Sequence, residues 1–145
     1  MAMDPDEAVL FTEAQDVVWA DVVSELSAGR KTTHWMWFVF PQLAALGRSN
    51  TSQLYGLHDL DEAAAYLAHA TLRARLVEAA GLLLAHRGTD PVEILGKIDA
   101  RKLRSSMTLF AAVPDAPPVL AEVLDAFYGG DRCGETLRII AEGQA

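Results

Sequence analysis

The sequence predicts an all-α fold, a single multihelical domain of about seven or eight helices with little or no strand. Three observations predict it. Apolar residues recur at spacings of three and four along most of the 145-residue chain. Acidic caps, prolines at first helical positions and glycines at helix ends mark where these segments begin and stop. With 51% apolar residues, the chain can build a core without disulfides.

The first helix is predicted over 9–28 from this spacing, and Gly29 supplies its stop. Residues 1–6 are expected to form a disordered tail ahead of it, within one domain that spans 1–145. Pro41 disfavours helical geometry at the residue before it, so a turn is expected at Phe40. A short helical piece should follow and end at Gly47, although an all-apolar strand just before Pro41 is the alternative.

The second half of the chain is predicted to be helical after one loop. Residues 48–58 are rich in Ser, Thr, Asn and Gly, which is typical of a loop. Asp59, Asp90 and Asp99 are each predicted to cap a helix. The helices after the loop are expected over 59–69, 71–85, 91–95, 99–111, 119–128 and 135–141.

The composition excludes several classes of protein. Twelve basic and twenty acidic residues give a net charge of −8, which argues against a general nucleic-acid binder. No apolar run approaches the roughly 20 residues of a membrane span. The single cysteine, Cys133, cannot form an intramolecular disulfide, so a cytoplasmic location is expected. The four histidines lack metal-ligand spacing and no nucleotide-binding glycine loop is present, so no metal or cofactor is expected.

The helix over 99–111 carries one group of candidate site residues. Asp99, Lys102 and Ser106 share one flank of its apolar stripe. Lys102 could bind a phosphate or carboxylate or serve in acid–base catalysis, with Asp99 holding it in place and Ser106 beside it. The alternative is an ordinary Asp–Lys surface pair. Ser105 and Thr108 are expected on the outer side of the helix, where solubility alone explains them.

The stretch KTTHWMWFVFPQ, residues 31–42, carries the second group. His34 is a candidate acid or base, or a ring that orients a ligand. Trp35 and Trp37 cannot both face inward from one helix, so one of them is a candidate stacking surface. Lys31 and Gln42 complete the predicted ligand-binding set. A hydrogen-bonded boundary role for His34, and core filling by both tryptophans, are the alternatives.

These residues suggest two classes of function. The first is a small-ligand protein that takes a nucleotide- or phosphate-containing anion, with catalysis left open. It requires residues 31–42 and 99–108 to meet at one concave pocket. The second is a non-catalytic adaptor that docks an unspecified protein partner on an exposed aromatic patch.

The chain resembles a bacterial family designated domain of unknown function 1810. The resemblance covers roughly residues 10–140 and is carried by GRKTTHWMWFVFPQLAALGRS, YLAHATLRARL, IDARKLRSSMTLFAA and GGDRCGETL. It implies a mainly helical domain and no established activity. The family usually has Ser at position 33 and Pro at position 70, where this chain has Thr33 and Ala70. The His-aromatic-Gln run is also weakly similar to glycosidases that act on ADP-ribosyl or riboside substrates, but Thr33 replaces their catalytic glutamate.

Overall fold

A computed structural model describes residues 3–143, and within this range the chain forms nine α-helices and no strand. The all-α prediction is therefore confirmed. A 3-10 turn, Ala44–Leu46, lies between the second and third helices. The helices are α1 Pro5–Ala28, α2 Met36–Val39, α3 Asn50–Tyr55, α4 Leu60–Ala68, α5 Ala70–Leu84, α6 Pro91–Leu95, α7 Lys97–Ala111, α8 Pro118–Tyr128 and α9 Gly134–Gly143.

Helix α1 begins earlier than the sequence predicts. The Asp4 carboxylate accepts a hydrogen bond from the Asp6 N–H at 2.8 Å, and Pro5 occupies the first helical position. The expected disordered tail is thus wrong from residue 5 onward, while residues 1 and 2 lie outside the described range. The predicted stop is correct, because Gly29 adopts a left-handed conformation with φ 74°.

Helix α7 lies at the centre of the core. Its predicted apolar stripe is confirmed, since Leu103, Met107 and Phe110 are all fully buried. The helix packs against α8, which also contacts α5, and α5 in turn packs against α1. A buried amide ties α1 to this arrangement, because Gln15 Nε2 donates to the Phe38 carbonyl at 2.7 Å and to the Tyr66 hydroxyl at 3.1 Å.

The turn predicted at Phe40 is present, but the loop predicted over 48–58 contains a helix. Ser49 caps α3 by accepting from the Ser52 N–H at 3.0 Å. The Gln53 amide donates to the carbonyls of Ala44 and Gly47 at 2.8 and 2.7 Å. Side-chain capping and these tertiary bonds hold a helix that residue propensities alone disfavour.

The segment 43–57 is closed at its base by backbone hydrogen bonds. The Leu57 N–H donates to the Gln42 carbonyl at 2.9 Å, and the Ala44 N–H donates to the Leu57 carbonyl at 2.7 Å. Gly56 is required for this close approach, because a Cβ there would lie 2.5 Å from Ala44 Cα. The closed segment, here named the 43–57 loop, carries α3 at its far side.

Candidate functional site

The start of the KTTHWMW stretch is folded around the buried carboxylate of Glu25. This carboxylate accepts hydrogen bonds from the N–H groups of Thr32 and Thr33, at 2.6 and 2.9 Å, and from the Thr33 hydroxyl at 2.6 Å. The Trp35 indole N–H donates to it at 3.1 Å. Burial raises the pKa of Glu25, but these hydrogen bonds outweigh burial and lower the pKa to about 2. Glu25 is therefore an ionised anchor for the turn and is unsuited to act as a general acid.

Replacing Glu25 with glutamine should lower the free energy of unfolding by about 2 kcal/mol at pH 7. The substitution replaces one acceptor oxygen with an amide NH2 group, which cannot accept hydrogen bonds from the N–H and O–H donors that surround this position. The Glu25 pKa falls from 4.5 to about 2 on folding. Its contribution is therefore complete above pH 4.5 and is lost as the pH falls toward 2. Urea denaturation across this range should show the gap between native and variant protein narrowing at low pH. A gap independent of pH would contradict the assigned role.

Lys31 and Asp99 form an ion pair with each other rather than contributing to an open ligand site. Lys31 Nζ lies 2.8 Å from Asp99 Oδ2, and the two side chains are 7% and 20% exposed. The prediction that Asp99 caps its helix is wrong, because α7 begins at Lys97 and the cap position is Gly96. Asp99 also pairs with Lys31 and not with Lys102, so neither Lys31 nor Asp99 is available to a ligand without breaking this pair.

The two tryptophans of the stretch have different environments. Trp35 is fully buried, which removes it from the ligand-binding candidates. Trp37 is partly exposed, and Lys102 Nζ lies 5.5 Å from the centroid of its ring. His34 is exposed, and its ring centroid lies 6.5 Å from that of Trp37. Trp37 is therefore the tryptophan of this stretch that borders accessible surface.

Gln42 and Lys102 meet at a cleft, here named cleft A. Its volume is about 630 Å³, within the range of small-molecule sites. Arg48, Ser49 and Ser52 of the 43–57 loop form one wall, and α7 and the start of α9 form the other. The residues contributed by α7 and the start of α9 are Ile98, Arg101, Lys102, Ser105, Cys133 and Glu135. A small void beside it is lined by Trp37 together with Gln42 and Lys102. His34 and Lys31 lie outside cleft A.

The charges in cleft A are mostly positive and unpaired. Arg48, Arg101 and Lys102 line the cleft, and none of the three forms a salt bridge with any residue in the range 3–143. The acidic residue in the wall, Glu135, is bound to Arg138 at 2.7 Å. Cleft A is therefore a local cationic site in a protein whose net charge is −8.

Cys133 lies in the wall of cleft A, directly before α9, and sequence reasoning did not include it among the site candidates. Ser105 Oγ donates to its sulfur at 3.4 Å. Burial raises the pKa of the Cys133 thiol, but the hydrogen bond from Ser105 and the polar groups of Thr136 and Glu135 near the sulfur outweigh this effect and lower the pKa. In the sequence, only the neighbouring Arg132 indicates a reactive thiol at Cys133. Ser105, which lowers the pKa of the thiol, is distant in the chain, so its contact with Cys133 could not be predicted from the sequence.

Three hydroxyl residues of α7 differ from their predicted positions. Ser105 and Thr108 are buried and not on an outer surface, because the segment before α9 packs over them. The Thr108 hydroxyl accepts from the Cys133 N–H at 3.0 Å and donates to the Arg104 carbonyl at 2.7 Å. Ser106, predicted to bind ligand, is fully buried and lies outside cleft A. Ser105 therefore takes the position at the cleft that was assigned to Ser106.

Among the residues that the structure describes, no group of three or more His, Cys, Asp or Glu residues is arranged to hold a metal ion. No helix in the same range has the length and apolar character needed to cross a bilayer.

The fold and the cleft together define a class: a multihelical domain with a cationic cleft of the size that holds a small molecule. The chain belongs to the family described as "Protein of unknown function (DUF1810)", whose profile matches residues 5–140. The predicted resemblance is thereby confirmed. The crystal structure of a conserved hypothetical protein, Rv1873, from Mycobacterium tuberculosis is similar, with a TM-score of 0.91 and 46% identity. The alignment covers 95% of this chain and 99% of that one. No curated protein matches, and neither finding indicates a specific function.

Proposed function

We propose that the protein binds a small anionic ligand, of the nucleotide or phosphate-containing class, in cleft A. The observation that carries this proposal is the convergence of Arg48, Arg101 and Lys102, all without salt-bridge partners in residues 3–143, on one cleft of an acidic protein. Cations gathered at one place repel each other, and an anion relieves that repulsion. The two arginines offer forked donors that match phosphate or carboxylate oxygens.

The neutral groups of the cleft suit the same ligand. Ser49 and Gln42 supply polar groups beside the cations, while Leu46 and Ile98 supply apolar surface for the rest of a ligand. Trp37 lies beside the cleft with the Lys102 ammonium over its ring, so this cation–π contact helps to hold Lys102 at the cleft wall. The proposal is one of binding, and no reaction is assigned. A cytoplasmic location remains part of the proposal, because Cys133 is a free thiol.

The two alternative functions have less support. An adaptor needs an exposed aromatic patch, but the strongly exposed large apolar side chains in the described part of the chain are all aliphatic and lie on five helices. A glycosidase needs a carboxylic acid at its ligand. Thr33 occupies the expected position and is bound to Glu25, and the acidic residue lining cleft A, Glu135, is bound to Arg138.

Isothermal titration calorimetry with inorganic phosphate, AMP and ATP tests the proposal. Arg48→Ala and Lys102→Ala should each weaken binding about tenfold, the effect of losing one charged hydrogen bond. Arg73→Ala, which removes an exposed arginine of α5, is the matched control and should bind normally, as should His34→Ala. Saturating ligand should also slow alkylation of Cys133 by iodoacetamide, because the thiol lies in the cleft wall.

Several results would overturn the proposal. They are no binding of any of the three probes, equal weakening by Arg73→Ala and Lys102→Ala, or binding that leaves the rate of Cys133 alkylation unchanged. The two readouts are independent, since calorimetry measures affinity and alkylation reports where the ligand sits.

A further inference from the structure

A second cleft lies on the other side of α7. This cleft, here named cleft B, has a volume of about 640 Å³ and is lined by residues of α7, the end of α8, the turn before α6 and the first residues of α6. Lys97, Arg101 and Arg104 give it a positive wall, and Val92 and Phe127 give it an apolar one. Arg104 is bound to Asp131 at 2.7 Å, whereas Lys97 and Arg101 form no salt bridge with any described residue.

The two clefts share one side chain. Ile98, Lys102 and Ser105 face cleft A, and Lys97 and Arg104 face cleft B, whereas Arg101 lines both. On a helix, positions 97 and 104 lie on one side of Arg101, and positions 98 and 105 lie on the other side. Arg101 is also exposed. It therefore stands on a ridge of α7 that separates two cationic clefts of nearly equal volume.

We infer that cleft A and cleft B are the two halves of one binding site for an elongated ligand, in which two ring-bearing groups are joined by phosphates. One ring-bearing group lies in each cleft, and the linking phosphates cross the ridge at Arg101. This inference rests on the proposed function, because it takes cleft A as the site of the first half. Its ligand class is that of a dinucleoside polyphosphate or a dinucleotide.

The charges and volumes favour this ligand over a compact anion. Lys102, Arg101 and Lys97 follow one another across the ridge without salt-bridge partners in residues 3–143, which suits an extended chain of negative groups. Each cleft falls within the range of roughly 300–1,000 Å³ found for single small-molecule sites. Asp90 is an acidic residue in cleft B, and its carboxylate is engaged in capping α6 by accepting from the Val92 N–H at 2.8 Å.

The test compares diadenosine tetraphosphate with ATP, which has similar charge but only one nucleoside. Because the second half binds as part of the same molecule, the long probe should bind at least about tenfold more tightly than ATP. Lys97→Ala should weaken the binding of the long probe about fivefold and leave the affinity for ATP unchanged. Lys102→Ala should weaken the binding of both probes. Among the three cleft variants, Arg101→Ala should weaken the binding of the long probe most. Arg73→Ala is the control, and all four residues lie at the surface or partly exposed, so the variants should stay folded.

The outcomes separate this inference from the proposed function. If ATP binds in cleft A but the long probe binds no more tightly, or if Lys97→Ala affects neither probe, the composite site is overturned and the proposed function stands. If neither probe binds, the composite site is overturned, and the proposed function falls with it when inorganic phosphate and AMP also fail to bind. Tighter binding of the long probe that depends on Lys97 supports the composite site.

Discussion

Replacing Trp35 with alanine should lower the free energy of unfolding by about 4 kcal/mol, the cost expected for removing a buried indole from a packed core. Trp35 is fully buried, and its ring centroid lies 6.3 Å from that of Phe40. Its indole N–H also donates to the Glu25 carboxylate at 3.1 Å, so the substitution leaves a buried acceptor with one donor fewer. Urea denaturation followed by far-ultraviolet circular dichroism measures the loss.

Two variants control for the position and for the chemistry of this indole. Trp37→Ala removes the same side chain from a partly exposed position and should cost only about 1 kcal/mol. Trp35→Phe keeps an aromatic ring but removes the N–H, and it should fall between the two, at about 2 kcal/mol. Equal losses for Trp35→Ala and Trp37→Ala would contradict the assignment of Trp35 to the core.

Replacing Lys31 with methionine should lower the free energy of unfolding by about 3 kcal/mol. The substitution keeps much of the apolar stem but leaves the Asp99 carboxylate, 20% exposed, without its cation. Because Asp99 is already partly hydrated, the loss lies at the lower end of the range for buried pairs. The same variant should bind ligand normally, since Lys31 lies outside both clefts.

Lys102→Met is the matched control for this substitution. Lys102 has no salt-bridge partner among the described residues and only a cation–π contact with Trp37, so its loss should change stability by less than about 1 kcal/mol while weakening ligand binding. Combining Lys31→Met with Asp99→Leu should recover most of the stability lost by the single variant. If Lys31→Met weakens ligand binding as strongly as Lys102→Met does, Lys31 belongs to the site and the division of roles is wrong.

Periodicity and capping predicted most of the fold. Two features could be predicted because each depends on residues close together in the chain. They are the apolar stripe of Leu103, Met107 and Phe110 and the helix cap at Asp59. The helix Asn50–Tyr55 was not, because its stability depends on Gln53 bonding to carbonyls outside the helix. A segment of polar residues gives no apolar period from which such a helix could be predicted.

The site was predictable only in part, for a related reason. A helical wheel places Asp99 and Lys102 on one flank, but it cannot reveal that Lys31 from a distant turn takes Asp99 as its partner. The same wheel put Ser105 outside, because it contains no information about the segment that covers it. Cys133 joins the cleft through the packing of α9 on α7, a contact between residues far apart in the chain.

The 43–57 loop is joined to the rest of the domain at its base through main-chain atoms of Gln42, Ala44 and Leu57. Main-chain bonds do not depend on which side chains the loop carries. An exposed residue of the loop such as Arg48 can therefore be exchanged without loosening the attachment, provided that the α3 cap Ser49 and the crowded glycines Gly47 and Gly56 are kept. Under the proposed function, a change at Arg48 alone should alter how one wall of cleft A meets an anion, while the main-chain attachment of the loop stays as it is.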